Sequence, residues 1–129
     1  MININDTARL DVKMYEIKAH IEKNLLTLRL VGFMTDEELE DGSNLTISEA
    51  KKLKKGFVII NDISKMKPAS PQGTEYIKKA QKFVIQNGAS KIIRVTENPV
   101  AKMQFERTES SAGYEAIEVK TFDEAMALI

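Results

Sequence analysis

The sequence contains no cysteine and no tryptophan, a single histidine, and equal numbers of basic and acidic residues, 19 of each. Without cysteine there is no disulfide framework, no thiolate nucleophile and no thiolate metal site, which fits a reducing compartment. Balanced charge leaves no global field to draw in a polyanion, so nucleic acid is not an expected partner. No apolar run approaches the ~20 residues of a membrane-spanning helix. The opening MININDTARLDVK has neither the basic nor the apolar region of a secretory leader, and a cytoplasmic protein is expected. A chain of 129 residues is the size of one domain. Residues 1–12 read as a loose polar lead-in, and 13–129 as a single domain.

What is present is a regular succession of strand and helix signals. Met14 to Glu22 alternates, with Tyr15, Ile17, Ala19 and Ile21 on the apolar side. Leu25 to Val31 alternates likewise, and Lys23-Asn24 is short enough to join the two as a hairpin. From Thr35 to Lys55 the period is helical, with capping boxes Thr35-x-x-Glu38 and Thr46-x-x-Glu49 on either side of Asp41-Gly42, so one interrupted helix or two are expected. Phe57-Val58-Ile59-Ile60 is apolar at consecutive positions, as a central strand covered on both faces must be. Ser70 and Pro71 have the form of an N-cap and a first helical position, opening a helix that turns Tyr76, Ile77, Ala80, Phe83 and Val84 inward and ends at Asn87-Gly88. Lys91 to Val95 is a further strand. Asn98-Pro99 opens a helix expected to bury Val100, Met103 and Phe105. Gly113 to Val119 is read as the last strand, and Thr121-x-x-Glu124 as the cap of a final helix that packs through Phe122, Ala125, Met126 and Ile129. The order ββαβαβαβα implies an α/β domain with a mixed, mostly parallel sheet and an initial hairpin.

Few residues offer chemistry. His20 falls on the polar side of a strand among glutamate and lysine neighbours and reads as a solvent-facing residue, with neither a nucleophile nor a metal set beside it. The acidic run Asp36, Glu37, Glu38, Glu40, Asp41 lacks the ligand spacing of a calcium loop and suits a helix N-terminus. Lys51, Lys52, Lys54 and Lys55 suit a helix C-terminus, with attraction to an anionic partner or membrane surface as the alternative. No metal and no cofactor are expected.

The segment Asp62-Ile-Ser-Lys-Met-Lys-Pro-Ala-Ser70 stands apart. Read as a loop leaving the central strand, it brings Ser64, Lys67 and Ser70 near the positive end of a helix, where an anion or a phosphoryl group is favoured. The plainer reading makes Ser70 a cap and Asp62 an anchor for the loop, and one residue can serve both. Asp62, Lys67, Arg94 and Arg107 are also placed for the carboxyl ends of parallel strands, but no nucleophile-base pair accompanies them and no enzyme is expected.

Taken together, the strand ending in Asp62-Ile-Ser64, the helix after it, the strand into Val95 and the terminal Thr121-Phe-Asp-Glu-Ala-Met-Ala-Leu128 resemble the STAS family, the sulfate transporter and anti-sigma factor antagonist domains. Asn98 to Thr108 with Ala112-Gly-Tyr114 is similar to a divergent branch of small stand-alone STAS-like proteins. The resemblance implies a non-enzymatic regulatory module that binds a protein partner and is switched by phosphorylation at the strand-loop-helix start. The family pattern there is close to Asp-Ser-Ser-Gly. This chain has Lys67-Pro68-Ala69-Ser70, with proline at the usual position of the modified hydroxyl and Ser70 as the substitute. A second reading makes the protein a carrier or sensor of a small apolar or amphipathic, lipid-like ligand, with Met34, Met66, Met103 and Met126 lining an adaptable pocket. Self-association is left open, with Glu115 and Glu118 on the last strand discouraging pairing at the sheet edge.

Overall fold

The computed structural model describes residues 15–129, so the lead-in over 1–12 and the start of the first strand at Met14 lie outside the described residues. Strand β1 (Tyr15–His20) pairs antiparallel with β2 (Leu25–Gly32), from Tyr15 opposite Leu30 to His20 opposite Leu25. The hairpin is closed by a 3₁₀ turn over Ile21–Lys23 and by Asn24, which has φ 51° and ψ 50°. Asparagine tolerates this left-handed conformation. Its side chain also grips Lys54 from both sides, Nδ2 donating to the carbonyl at 3.1 Å and Oδ1 accepting from the amide at 2.8 Å. Because the strand stops at His20, Ile21 leaves the pleat and is exposed rather than inward.

Helix α1 (Asp36–Ala50) is one continuous helix, with Asp41-Gly42 inside it. Thr35 forms the expected capping box with Glu38, whereas the second box does not exist. Thr46 lies mid-helix, its hydroxyl donating to the Gly42 carbonyl at 2.8 Å. Glu49 instead accepts the Ala19 amide of β1 at 3.0 Å, and its bonds to Lys52 and Ala19 hold its carboxyl below the usual carboxylate range. Tertiary packing thus overrides two local signals, which are worth only ~1 kcal/mol each.

Strand β3 (Val58–Met66) is the centre of a five-stranded sheet ordered β1-β2-β3-β4-β5, parallel to β2 and to β4 (Lys91–Val95), with β5 (Ile117–Val119) parallel beyond. The α/β class and the mostly parallel sheet are as expected. Strand order equals chain order, so every crossover advances in the same direction across the sheet, and crossovers of one hand then place their helices on one face. That face carries α1, α2 (Pro71–Gln86) and α3 (Pro99–Ala112), packed on Ile17, Leu26, Leu30, Ile59, Ile63 and Ile92. Among the described elements the opposite face is covered by α4 (Phe122–Met126), whose Ala125 is fully buried against Leu25, Ile60, Ile93 and Val95.

Helix α2 begins as expected, with Ser70 as N-cap and Pro71 in the first turn. It approaches α1 so closely at Gly73 that a Cβ there lies 2.5 Å from Leu39 Cδ1. Helix α3 is rotated from the expected phase. Phe105 is buried as expected, but Val100 and Met103 are exposed, and Ala101, Thr108 and Glu109 are buried in their stead. The last strand is shorter than Gly113 to Val119, and in α4 Phe122 faces outward, as does Ile129 after it.

Candidate functional site

The stretch read as a loop from Asp62 is in fact strand as far as Met66. Its pairing with β2 slips between Arg29, opposite Asp62, and Val31, opposite Lys65, which inserts one extra residue into β3. The cause is local. Asp62 Oδ1 accepts both the Ser64 amide at 3.0 Å and the Ser64 hydroxyl at 2.6 Å, a short-range bond that competes with the regular ladder and bends the strand. Asp62 is 3 % exposed, and its other oxygen lies 3.6 Å from Arg29 Nε. This carboxylate shares a polar groove with Lys18, His20 and Thr27, on the face away from α1–α3.

After β3 the chain is clamped at successive residues. The Lys67 amide donates to the Gly32 carbonyl at 2.9 Å while its side chain is exposed. Gln104 of α3 reads Ala69 in both directions, accepting its amide and donating to its carbonyl, each at 2.8 Å. Ser70 Oγ accepts the Gly73 amide at 2.9 Å and donates its proton to Asp36 Oδ1. Ser70 therefore joins the start of α2 to the start of α1, where Asp36, Glu37 and Glu38 occupy the first turn. Of the residues singled out in the sequence, Ser64 and Asp62 meet directly. Among the described residues no hydrogen bond or ion pair ties the side chains of Ser70 or Lys67 to them.

Two arrangements had no sequence signal. One is the Gln104 clamp, which spans 35 positions. The other is a buried ion network. Arg94 is 1 % exposed and donates to Glu109 on α3, with Glu118 of β5 at 3.5 Å and Lys102 at 3.3 Å from Glu118. Burial lowers the Arg94 pKa, and the Glu118 charge opposes that fall. Tyr114 beside it is pushed up to about 12, chiefly by burial. The guanidinium is thus spent inside the helix layer and does not join Asp62, Lys67 and Arg107 at the strand ends. Glu118 is likewise a partner of Arg94 rather than a bare edge charge. His20 Nε2 sits 3.0 Å from Thr27 Oγ1. Among the described residues no group of three His, Asp or Glu side chains is placed to hold a metal, and no helix is long and apolar enough to cross a membrane.

A sequentially ordered sheet, an opening hairpin, three helices on one face and a short terminal helix on the other make this a STAS-like domain in fold. Solved structures agree. One is an uncharacterized protein of the DUF3478 family with a SpoIIAA-like fold from Shewanella loihica PV-4, at 14% identity and a TM-score of 0.63, over 92% of this chain and 95% of that one. Another is the anti-sigma factor antagonist SpoIIAA in its unphosphorylated form, at 10% identity and a TM-score of 0.58, over 88% of this chain and 94% of that one. At these identities the likeness establishes the fold. No protein-family model matches the chain, and no curated protein matches it.

Proposed function

We propose that the protein is a non-enzymatic regulatory module that binds a protein partner and is switched by modification of Ser70. The observation that carries the reading is the double engagement of the Ser70 hydroxyl, accepting from Gly73 and donating to Asp36 across the gap between α2 and α1. The solved relative in fold that is described as an anti-sigma factor antagonist, and as unphosphorylated, lends the reading its general form.

Charge gives the switch its direction. A phosphate on Ser70 removes the donor to Asp36 and adds roughly two negative charges at a helix N-terminus. The helix dipole favours those charges by up to ~1 kcal/mol. Repulsion from one carboxylate at ~4 Å costs about 1 to 4 kcal/mol between bulk-water and surface dielectric, and Asp36 stands there with Glu37 and Glu38. The repulsion wins, so modification parts the starts of α1 and α2 and alters the surface offered to a partner. A free anion meets the same carboxylate without a covalent bond to hold it, which favours modification over anion binding. Ser64 is the second candidate acceptor, and Lys67 supplies an exposed positive charge to the partner-facing rim.

The test compares wild type, Ser70→Ala and Ser70→Asp in quantitative capture from the native host, alongside mass mapping of the gently isolated protein. The expected result is a phosphoryl increment on Ser70 and a protein retained by one of the two variants but not the other. Identical retention by all three forms, with no modification at Ser70 or Ser64, overturns the reading.

A further inference from the structure

Between the sheet and the inner faces of α1 and α2 lies a cavity of about 70 Å³, and no described residue lining it carries a charge at neutral pH. Its body is apolar, formed by Leu30, Ile59, Ile77 and Phe105 among others. Polar side chains interrupt that lining, among them Ser43, Asn61 and Gln81. Ser43 and Gln81 are 5 % and 7 % exposed, and among the described residues the Ser43 hydroxyl, Asn61 Oδ1 and both ends of the Gln81 amide find no hydrogen-bond partner. Tyr114 stands beside Gln81 and its hydroxyl interacts with the amide, but within strict hydrogen-bond geometry both ends of that amide stay unpaired among the described residues. Neighbouring Thr46 shows how the same helix satisfies a buried hydroxyl, by donation to its own backbone. Buried polar groups are otherwise paired in folded proteins, and orphans that converge on one cavity point to something that completes them.

From this we infer that the cavity is a binding site for a small, neutral, carboxamide-type molecule. The unpaired set contains acceptors at Asn61 Oδ1 and Gln81 Oε1, a donor at Gln81 Nε2 and a hydroxyl that does either. An amide head presents the complementary set, a carbonyl acceptor and two N–H donors. A carboxylate is disfavoured, since no described residue lining the cavity is a cation and an unpaired buried anion is costly. Size sets a further limit. A cavity of ~150 Å³ accommodates benzene, so about 70 Å³ suits a molecule of roughly three or four heavy atoms. The expected role is that of a sensor, because a guest here touches α1 and α2 together. The site is separate from Ser70 and stands whether or not Ser70 is modified.

The probe is acetamide, with isosteric acetate and apolar xenon as controls, titrated into the full chain and followed by NMR of the Leu30, Ile59 and Ile77 methyls and the Asn61 and Gln81 side-chain amides. Acetamide is expected to saturate these signals, with a dissociation constant no tighter than roughly tens of micromolar for so few atoms. Acetate and xenon are expected to bind at least roughly tenfold more weakly, the loss set by the unmade hydrogen bonds. Gln81→Leu is expected to lose acetamide about tenfold while melting at a higher temperature than wild type, because it removes an unsatisfied buried amide. Ser43→Ala serves the same purpose should the leucine variant fail to fold. No saturable acetamide effect, equal binding of acetate or xenon, unchanged affinity in both variants, or long-lived water at Ser43 and Gln81 that acetamide does not displace each overturns the proposal.

Discussion

Arg94 keeps its charge out of water only because Glu109 and Glu118 face it from two other elements. Moving an ion into a protein interior costs several kcal/mol, and the attraction of good partners roughly offsets that cost. Truncating one partner leaves the other charge stranded. Glu109→Ala is therefore expected to lower stability by about 3 to 5 kcal/mol, read as a fall in the urea midpoint with unchanged slope, and adding Arg94→Met is expected to recover most of the loss. Single residues also show how far sequence reading reaches. The cap at Ser70 binds the amide of Gly73, and the tether at Asp62 binds the amide of Ser64. Both are bonds over two or three positions, and such bonds leave a local mark in residue type and spacing. Arg94 and Glu109 are 15 positions apart on different elements, and nothing in either neighbourhood announces the other. Of the methionines imagined around a pocket, only Met34 reaches the cavity. Met66 plugs the core beside it, Met103 is exposed, and Met126 packs on the far face.

Among the elements, helix α3 gives the clearest lesson. Its start was legible from Asn98-Pro99, but its rotation was not, since Val100 and Met103 look more apolar than Thr108 and Glu109. The helix turns so that Glu109 meets Arg94 and Gln104 meets the Ala69 backbone, and two exposed apolar side chains are the consequence. Satisfying a buried charge outweighs hiding one valine, whose full burial is worth about 2 kcal/mol. The Gln104 clamp fixes the approach to Ser70 and can be tested by itself. Gln104→Leu leaves both Ala69 backbone groups without their partner, so a loss of about 1 to 3 kcal/mol is expected, with faster amide hydrogen exchange at Ala69 and Ser70. Unchanged exchange at those amides counts against the clamp as the device that holds the start of α2. The interruption expected in α1 did not occur because Gly42 packs beside Met34 and Ile17, where tertiary contact replaces helix propensity.

For the molecule as a whole, the order of the strands decides where ligands and partners can sit. Open α/β sheets usually bind at the point where strand order reverses, and among the described strands the order does not reverse. Arg94, held by Glu109 and Glu118, does not join Asp62, Lys67 and Arg107 at the strand ends, and the candidate sites fall at the meeting of two helix starts and inside the helix layer. The strand and helix types were readable because each follows its own hydrophobic period. The order of strands was not, since periodicity is silent about which neighbour a strand takes. One-sided crossovers also leave α4 as the one described element on the second face, through Ala125. Ala125→Glu places an unpaired carboxylate against Ile60 and Ile93, and a loss of more than about 2 kcal/mol is expected, with binding of a hydrophobic dye that the wild type does not show. A variant as stable as wild type shows that the second face does not need this helix.

The same topology has a consequence for synthesis. A chain leaving the ribosome finds, for every strand after the first, the neighbour it needs already made, and the sheet can grow without waiting for distant segments. Its second apolar face cannot close in that manner, because Phe122–Met126 follows all five strands. Until then no other described element covers Leu25, Ile60 and Ile93, and the strip they form is expected to face solvent and other nascent chains. A chaperone that attends this protein during its birth is expected to hold that strip and to let go when the terminal helix arrives.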